Sequence, residues 1–240
     1  MSYNVEAKNI VKRYGSKTVI DDISFIIKPG TIVGLASPNG SGKTTLIKLI
    51  ADFLTLDGGE ITIDGQKVGP ATKAIVSYLP DHELFSSDEK VSNAVKFYID
   101  YHKDFDAEKC RKYLETFKID EKAKIGSLSK GTREILMLIL TLSRDAKLYL
   151  LDEPLANVDP VNREAIVTTI LKEFKEDASV IISTHLLNDV EKILDEVIMI
   201  KENKLFCHKS VEDIREETGK SLNDFFKETF KIDWFGGDNK

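Results

Sequence analysis

The chain is expected to be α/β, with a mostly parallel sheet, a small antiparallel β subdomain and a helical lobe. Three observations carry that expectation. An apolar run, Thr31–Ala36, feeds a Gly-rich loop and then a helical pattern, Thr44–Ala51. Further apolar runs at Leu148–Leu151, Val180–Ser183 and Glu196–Ile200 recur with helix-like spacers, about 30 residues or fewer apart, the rhythm of parallel strands joined by crossovers. Between these two regions, from about Asp88 to Leu142, apolar positions switch to helical period among many charges.

Taken in order, Thr18–Ile27 and Ile61–Ile63 read as short strands near the start. Lys28-Pro29-Gly30 turns the first of them into Thr31–Ala36, a buried strand. The helix Thr44–Ala51 follows, then an apolar strand at Ala74–Leu79. The helical lobe is inserted at about 82–142. The main domain is expected over 1–210 and a short helical tail over 211–240. Within that tail Val211–Phe230 reads as two short amphipathic helices, and Gly236–Lys240 is expected to fray.

Composition bounds the function. A hydrophobic content of 42% in 240 residues supports a sizeable core. The longest apolar stretches are short and punctuated, so the chain is not expected to span a bilayer by itself. No secretory pattern opens it, and Cys110 and Cys207 stand alone and far apart, so the thiols are expected to be reduced in a cytoplasmic protein. A net charge of −6 argues against broad nucleic-acid binding.

The loop itself, Ser37-Pro38-Asn39-Gly40-Ser41-Gly42-Lys43-Thr44-Thr45, reads as a phosphate cradle between strand and helix. Gly40 and Gly42 permit backbone angles that turn successive N–H groups inward. The helix N-terminus adds partial positive charge. Lys43 can reach the β- and γ-phosphates of a nucleotide, and the Thr44 hydroxyl can ligate Mg²⁺. The usual pattern begins with Gly, where this chain has Ser37. Ser37 fits if its backbone angle is ordinary, since Gly40 and Gly42 carry the tighter part of the turn.

A second segment, "KLYLLDEPLANVD", supplies acid. Asp152 closes the apolar run Leu148–Leu151, at the strand end where ligands gather in parallel sheets. Asp152 can hold Mg²⁺ through a water. Glu153 would face the γ-phosphate and orient or deprotonate the attacking water. An acidic turn after a strand is a common structural feature; its place downstream of a phosphate loop favours the chemical reading. The two segments together make the expected core that of a P-loop NTPase.

The ordered motifs resemble the nucleotide-binding subunit of ATP-binding-cassette (ABC) transporters, from about Val5 to Lys209. Tyr14 is similar to the aromatic residue that stacks on adenine. SPNGSGKTT resembles the Walker A loop, and LYLLDEP the Walker B strand with its catalytic glutamate. "LSKGT", Leu128-Ser129-Lys130-Gly131-Thr132, resembles the signature motif, "ANVD" through Asp159 the D-loop, and "STH" through His185 the switch histidine. The resemblance implies ATP and Mg²⁺ as cofactors, with two cassettes sandwiching two ATP molecules head to tail. Ser129 and the Gly131 amide would then touch the γ-phosphate bound by the other subunit, from a helix N-terminus; Ser129 can also cap its own helix. His185 would contact the γ-phosphate of its own subunit, and Asp159 would lie across the interface. The departures are Ser37, Lys130 and Thr132 within their motifs, and Asp81, where the family has Gln. Asp81 can still ligate Mg²⁺ through water, or weaken coupling, or simply sit in a turn after Pro80.

The resemblance further implies an ATPase whose closure drives a separate transmembrane permease subunit, from the inner face of the cell membrane. The second cassette is another copy or a related one. Leu84, Phe85 and Val91 either receive a helix of that membrane partner or belong to the core of the lobe. The chain resembles in flavour the bacterial exporter-type cassettes of multidrug or antibiotic-peptide efflux. A soluble cassette ATPase acting on nucleic acid or ribosomes is the alternative, and a small-molecule kinase leaves LSKGT, ANVD and STH without a place.

Overall fold

A computed structural model describes residues 4–173 and 175–231. β1 (Val5–Tyr14) and β2 (Lys17–Ile27) form a hairpin across Gly15, whose φ of +58° suits the tight turn. In β2 the run Ile23, Phe25, Ile27 is buried while Ser24 and Ile26 face outward, the alternation of a half-covered sheet. β3 (Ile32–Ala36) has all five residues buried and runs into the loop before α1 (Lys43–Ile50). β4 (Gly58–Ile63) and β5 (Gln66–Lys67) complete a four-stranded antiparallel sheet in the order β2-β1-β4-β5.

A short α2 (Pro70–Lys73) leads to β6 (Val76–Leu79). The lobe follows as α3 (Val91–Tyr101), α4 (Ala107–Thr116) and α5 (Lys130–Leu142). α5 is buried at every position from Ile135 to Leu142, so it is a core helix and not a surface one. β7 (Leu148–Asp152), α6 (Pro160–Glu173), β8 (Ser179–Ser183), α7 (Leu187–Val190), β9 (Glu196–Lys201) and β10 (Lys204–Ser210) finish the larger sheet. Its order is β10-β9-β3-β8-β7-β6, with β10 antiparallel to β9 and the other pairings parallel.

The strand period divides the core in two. Val33, Leu35, Leu148 and Leu150 pack toward α1 and the antiparallel sheet. Their neighbours Ile32, Ala36, Tyr149 and Leu151 pack toward the lobe helices and α6. Arg144, 4% exposed, locks the lobe to the sheet. Its Nε and Nη2 donate to the Asp104 carboxylate, Nη1 donates to Val76 O (2.6 Å) and Nη2 to Ala74 O (3.0 Å).

The expected strands and helices are present, with shifts at their ends. β1 and β10 were not expected. β1 is irregular: Asn9 has φ +48° and the pairing with β2 shifts register after Ala7, which spoils the alternation a sequence reading relies on. β10 is an edge strand with a polar face. The two expected tail helices are α8 (Val211–Thr218) and α9 (Leu222–Thr229), capped by Ser210 and Ser221. Val211, Ile214 and Leu222 join the lobe-side core. Gly236–Lys240, expected to fray, lie outside the described residues. No helix among the described residues is long and apolar enough to cross a membrane.

Candidate functional site

Four neighbouring strands, β3, β8, β7 and β6, deliver the site residues from their C-terminal ends. The loop after β3 is held by glycine geometry and by Ser37. Gly40 and Gly42 have φ of +80° and +99°, whereas Ser37 is outside the left-handed region. A Cβ at Gly42 would lie 3.1 Å from side-chain atoms of Val19 and Ile20, so that position needs glycine twice over. Ser37 is fully buried; its hydroxyl donates to Ala36 O (2.5 Å) and accepts from Ile200 N (2.8 Å). The departure at position 37 therefore fastens the loop to β9. Pro38 O accepts from the Ser41 hydroxyl (2.6 Å) and tightens the turn.

Asn39, Gly40, Gly42, Lys43, Thr44 and Thr45 line a cleft of about 420 Å³, together with Val19, Asp81 and Glu153. α1 begins there without a side-chain cap, so its first N–H groups have no intrahelical partner. The dipole end and the N–H groups suit this cleft to an anion. Lys43, 7% exposed, donates from Nζ to Ser37 O (2.7 Å) and lies 3.8 Å from Glu153 Oε1. Burial pulls the Lys43 ammonium below its ordinary range, against the opposite pull of Glu153 and Asp152.

Asp152, 1% exposed, ends β7. Burial pushes its carboxyl up, while the Ser183 hydroxyl, and to a lesser degree the Thr44 hydroxyl, stabilise the charge. Oδ1 accepts from Ser183 Oγ (2.5 Å). Thr44 makes no hydrogen bond of good geometry to the carboxylate, and Oδ2 is left buried without a partner. An unpartnered buried carboxylate oxygen beside a threonine hydroxyl suits a hard cation such as Mg²⁺. Among the described residues no group of three or more His, Cys, Asp or Glu could hold a metal alone. The donor set therefore fits an ion that keeps waters and leans on substrate phosphates.

Glu153 follows with φ +52°, a left-handed angle that costs a residue with a side chain about 1–3 kcal/mol. Its N–H donates to Ser183 O (3.1 Å) and to Ser183 Oγ (3.0 Å), which hold it there. Its carboxylate Oε2 accepts from His185 Nδ1 at 2.8 Å. Lys43, Glu153 and His185, expected from three separate motifs, are thus one connected cluster. Asp81 lines the same cleft, but is exposed and engages His82 Nδ1 at 3.1 Å.

Other candidate residues lie elsewhere. Tyr14, 49% exposed, ends β1 beneath Lys12 Nζ (5.6 Å to the ring centre) and does not line the phosphate cleft. Nor do Leu128–Thr132. Ser129 caps α5, its Oγ accepting from Thr132 N (3.2 Å) and meeting Thr132 Oγ1 at 2.7 Å. Lys130 lines a separate cavity of about 230 Å³ with Asp81, Asp152 and Glu153. At Gly131 a Cβ would lie 2.9 Å from Asn157 O, so this helix start sits hard against the ANVD loop. Asp159 is exposed and caps α6, accepting from Val161 N (3.1 Å) and Asn162 N (3.2 Å). The Asn162 side-chain amide, which donates to its other oxygen (2.7 Å), and then these backbone N–H groups hold its carboxyl below the usual range.

The open question over Leu84, Phe85 and Val91 divides. Val91 is core, and Phe85 packs on that core. Leu84, half exposed, lines a groove of about 590 Å³ with Phe53, Leu54, Phe97 and Tyr98. In the sequence Ser183 carries no mark beyond its place in STH. A small polar residue directly after the apolar run Val180–Ile182 is the available signal.

Comparison with known proteins gives a consistent result. A family profile described as ABC transporter matches residues 20–156. The chain is 30% identical to an uncharacterized ABC transporter ATP-binding protein of Methanocaldococcus jannaschii, over 89% of this chain and 80% of that one. It is 29% identical to the Nod factor export ATP-binding protein I of Burkholderia orbicola, over 83% of this chain and 68% of that one. A solved ATP-binding subunit of an ABC transporter superposes with a TM-score of 0.86 at 24% identity, over 95% of this chain and 99% of that one.

Proposed function

The chain belongs to the ABC transporter family as an ATP-binding subunit, and from that premise we propose that it is a working ATPase that drives a separate membrane subunit in export. The observation that carries the ATPase reading is the bond between His185 Nδ1 and Glu153 (2.8 Å) at the mouth of the phosphate cleft. The Nod factor export relative supports the direction. The soluble alternative, acting on nucleic acid or ribosomes, is not favoured, because the relatives named are transporter subunits.

The α1 N-terminus and Lys43 bind the phosphates of ATP. Thr44 and Asp152 would hold Mg²⁺, which when bound neutralises charge on the phosphate oxygens. Glu153 orients the attacking water and accepts its proton on the carboxylate. His185 fixes the Glu153 rotamer through Nδ1. Ser129, Gly131 and Asp159 complete the site of a second copy, or of a related cassette, in the head-to-tail pairing. The position of Ser129 at an exposed helix start supports this. The groove lined by Phe53, Leu84 and Phe97 receives a segment of the membrane subunit, which would keep this chain peripheral on the inner face of the membrane.

Glu153→Gln should lower the ATPase rate by about 10²-fold or more while ATP binding persists. An unchanged rate in the purified variant overturns the assignment. Co-purification of the full chain from detergent-solubilised membranes should recover a polytopic membrane protein, and purely ribosomal partners would overturn the transport reading.

A further inference from the structure

We propose that Ser183 is a positioning residue of the nucleotide site, its one hydroxyl fixing the carboxylate of Asp152 and the backbone of Glu153 together. The proposal rests on the reading that Asp152 and Thr44 hold Mg²⁺.

β8 runs from Ser179 through the apolar Val180, Ile181 and Ile182, and Ser183 ends it with no exposure to solvent. A buried hydroxyl in such a strand requires partners. Both of its partners here are site residues. Ser183 lies directly opposite Asp152 in the pairing of β7 with β8. Its Oγ donates its proton to Asp152 Oδ1 (2.5 Å) and accepts from Glu153 N (3.0 Å). The hydroxyl thus commits its one proton and one lone pair to two consecutive acidic residues, and makes no other hydrogen bond among the described residues.

The geometry gives this a purpose. The χ2 torsion of aspartate is broad and two-fold, so packing alone does not settle where its two oxygens point. Committing Oδ1 to Ser183 leaves Oδ2 as the single free oxygen, and Oδ2 is the buried atom without a partner. Groups that orient a metal-binding side chain in this way are worth 10–100-fold in metal affinity as a rule. The second bond acts on Glu153, whose φ of +52° needs an anchor on its N–H. The carbonyl of Ser183 supplies one anchor whatever the side chain (3.1 Å), and the hydroxyl supplies the other. Loss of the hydroxyl alone should therefore fall chiefly on the metal and secondarily on turnover.

Four full-length proteins test this: wild type, Ser183→Ala, Ser183→Val and Ser183→Thr. Val and Thr have nearly equal bulk and both suit a strand, so their difference isolates the hydroxyl from packing. The readouts are the Mg²⁺ concentration for half-maximal ATPase rate, and ATP affinity by calorimetry with Mg²⁺ and with EDTA. The expected result is a rise of about tenfold or more in half-saturating Mg²⁺ for the Ala and Val variants, with Thr within about threefold of wild type. ATP affinity in EDTA should be the same in all four, and should weaken for Ala and Val only with Mg²⁺ present. The proposal is overturned if Ser183→Ala saturates at the wild-type Mg²⁺ concentration, or if Val and Thr behave alike. Should Ser183→Ala fail to fold, the Val and Thr pair decides. A wild-type protein whose rate and ATP affinity ignore Mg²⁺ would instead sink the underlying metal reading.

Discussion

His185 and Glu153 meet side chain to side chain, with Nδ1 of the imidazole 2.8 Å from Oε2 of the carboxylate, while Oε1 lies 3.8 Å from Lys43 Nζ. The carboxylate is thus steered from both sides. His185 is half exposed, so its removal should not damage the core. His185→Ala should lower kcat by about 10²-fold with a smaller change in the KM for ATP. Steady-state kinetics on the purified variant check this, and a loss confined to KM would contradict it.

The strained backbone at Glu153 separates stability from activity. Glycine tolerates φ +52° freely, whereas Gln keeps the strain. Glu153→Gly and Glu153→Gln should both be inactive, and the Gly variant should melt at an equal or higher temperature. Differential scanning calorimetry of the pair tests the ranking, which fails if the Gly variant is clearly the less stable.

Ser37→Gly restores the usual residue of the loop pattern and should nevertheless cost stability. It leaves Ile200 N without its hydroxyl acceptor, in a position fully removed from water. The expected loss is about 1–3 kcal/mol, with ATP binding kept because Gly40 and Gly42 still shape the cradle. Urea unfolding and nucleotide titration measure the two effects separately.

Arg144→Lys should loosen the lobe. The planar fork serves the Asp104 carboxylate and the carbonyls of Ala74 and Val76 at once, and an ammonium cannot span them. A loss of about 2–3 kcal/mol is expected. Amide exchange should report it as faster opening at β6 and at the loop around Asp104, with α1 protected as before.

Burial pushes the Cys110 thiol up to about 12, from an ordinary value of 9.0. Cys110 is fully buried, so thiol reagents should reach it only on unfolding. The sign for stability follows from linkage. Above pH 9.0 the unfolded thiol releases its proton and the folded one retains it, so this group's contribution falls as pH rises from 9.0 toward 12. Cys110→Ala should flatten the alkaline end of the stability curve, and an unchanged slope would contradict the assignment.

Much of this was legible in the residues. Loop and acid motifs announce themselves because glycine angles, a terminal lysine and an acid at a strand end are local requirements. β1 is not legible as a strand because a register shift near Asn9 breaks its alternation. The value of Ser37 was hidden because its partner, Ile200, is 163 residues away. Ser183 is hidden likewise, since its partners are Asp152 at the end of β7 and Glu153 just after it. Arg144 reads as one more surface charge until three distant acceptors surround it. Side chains whose meaning depends on what the sheet brings beside them leave little mark on the chain order.

The strand order has a kinetic consequence. β3 pairs in parallel with β8, where Ile32 stands opposite Val180, so the phosphate loop meets its acidic partners only after most of the chain has been synthesised and collapsed. Long-range parallel pairings close slowly. The hairpin of β1 and β2 and the lobe helices are local and should form early. During refolding, secondary structure should therefore recover well before nucleotide affinity. Any lesion that slows the docking of β8 would produce a compact, helical protein that is for a time without a site.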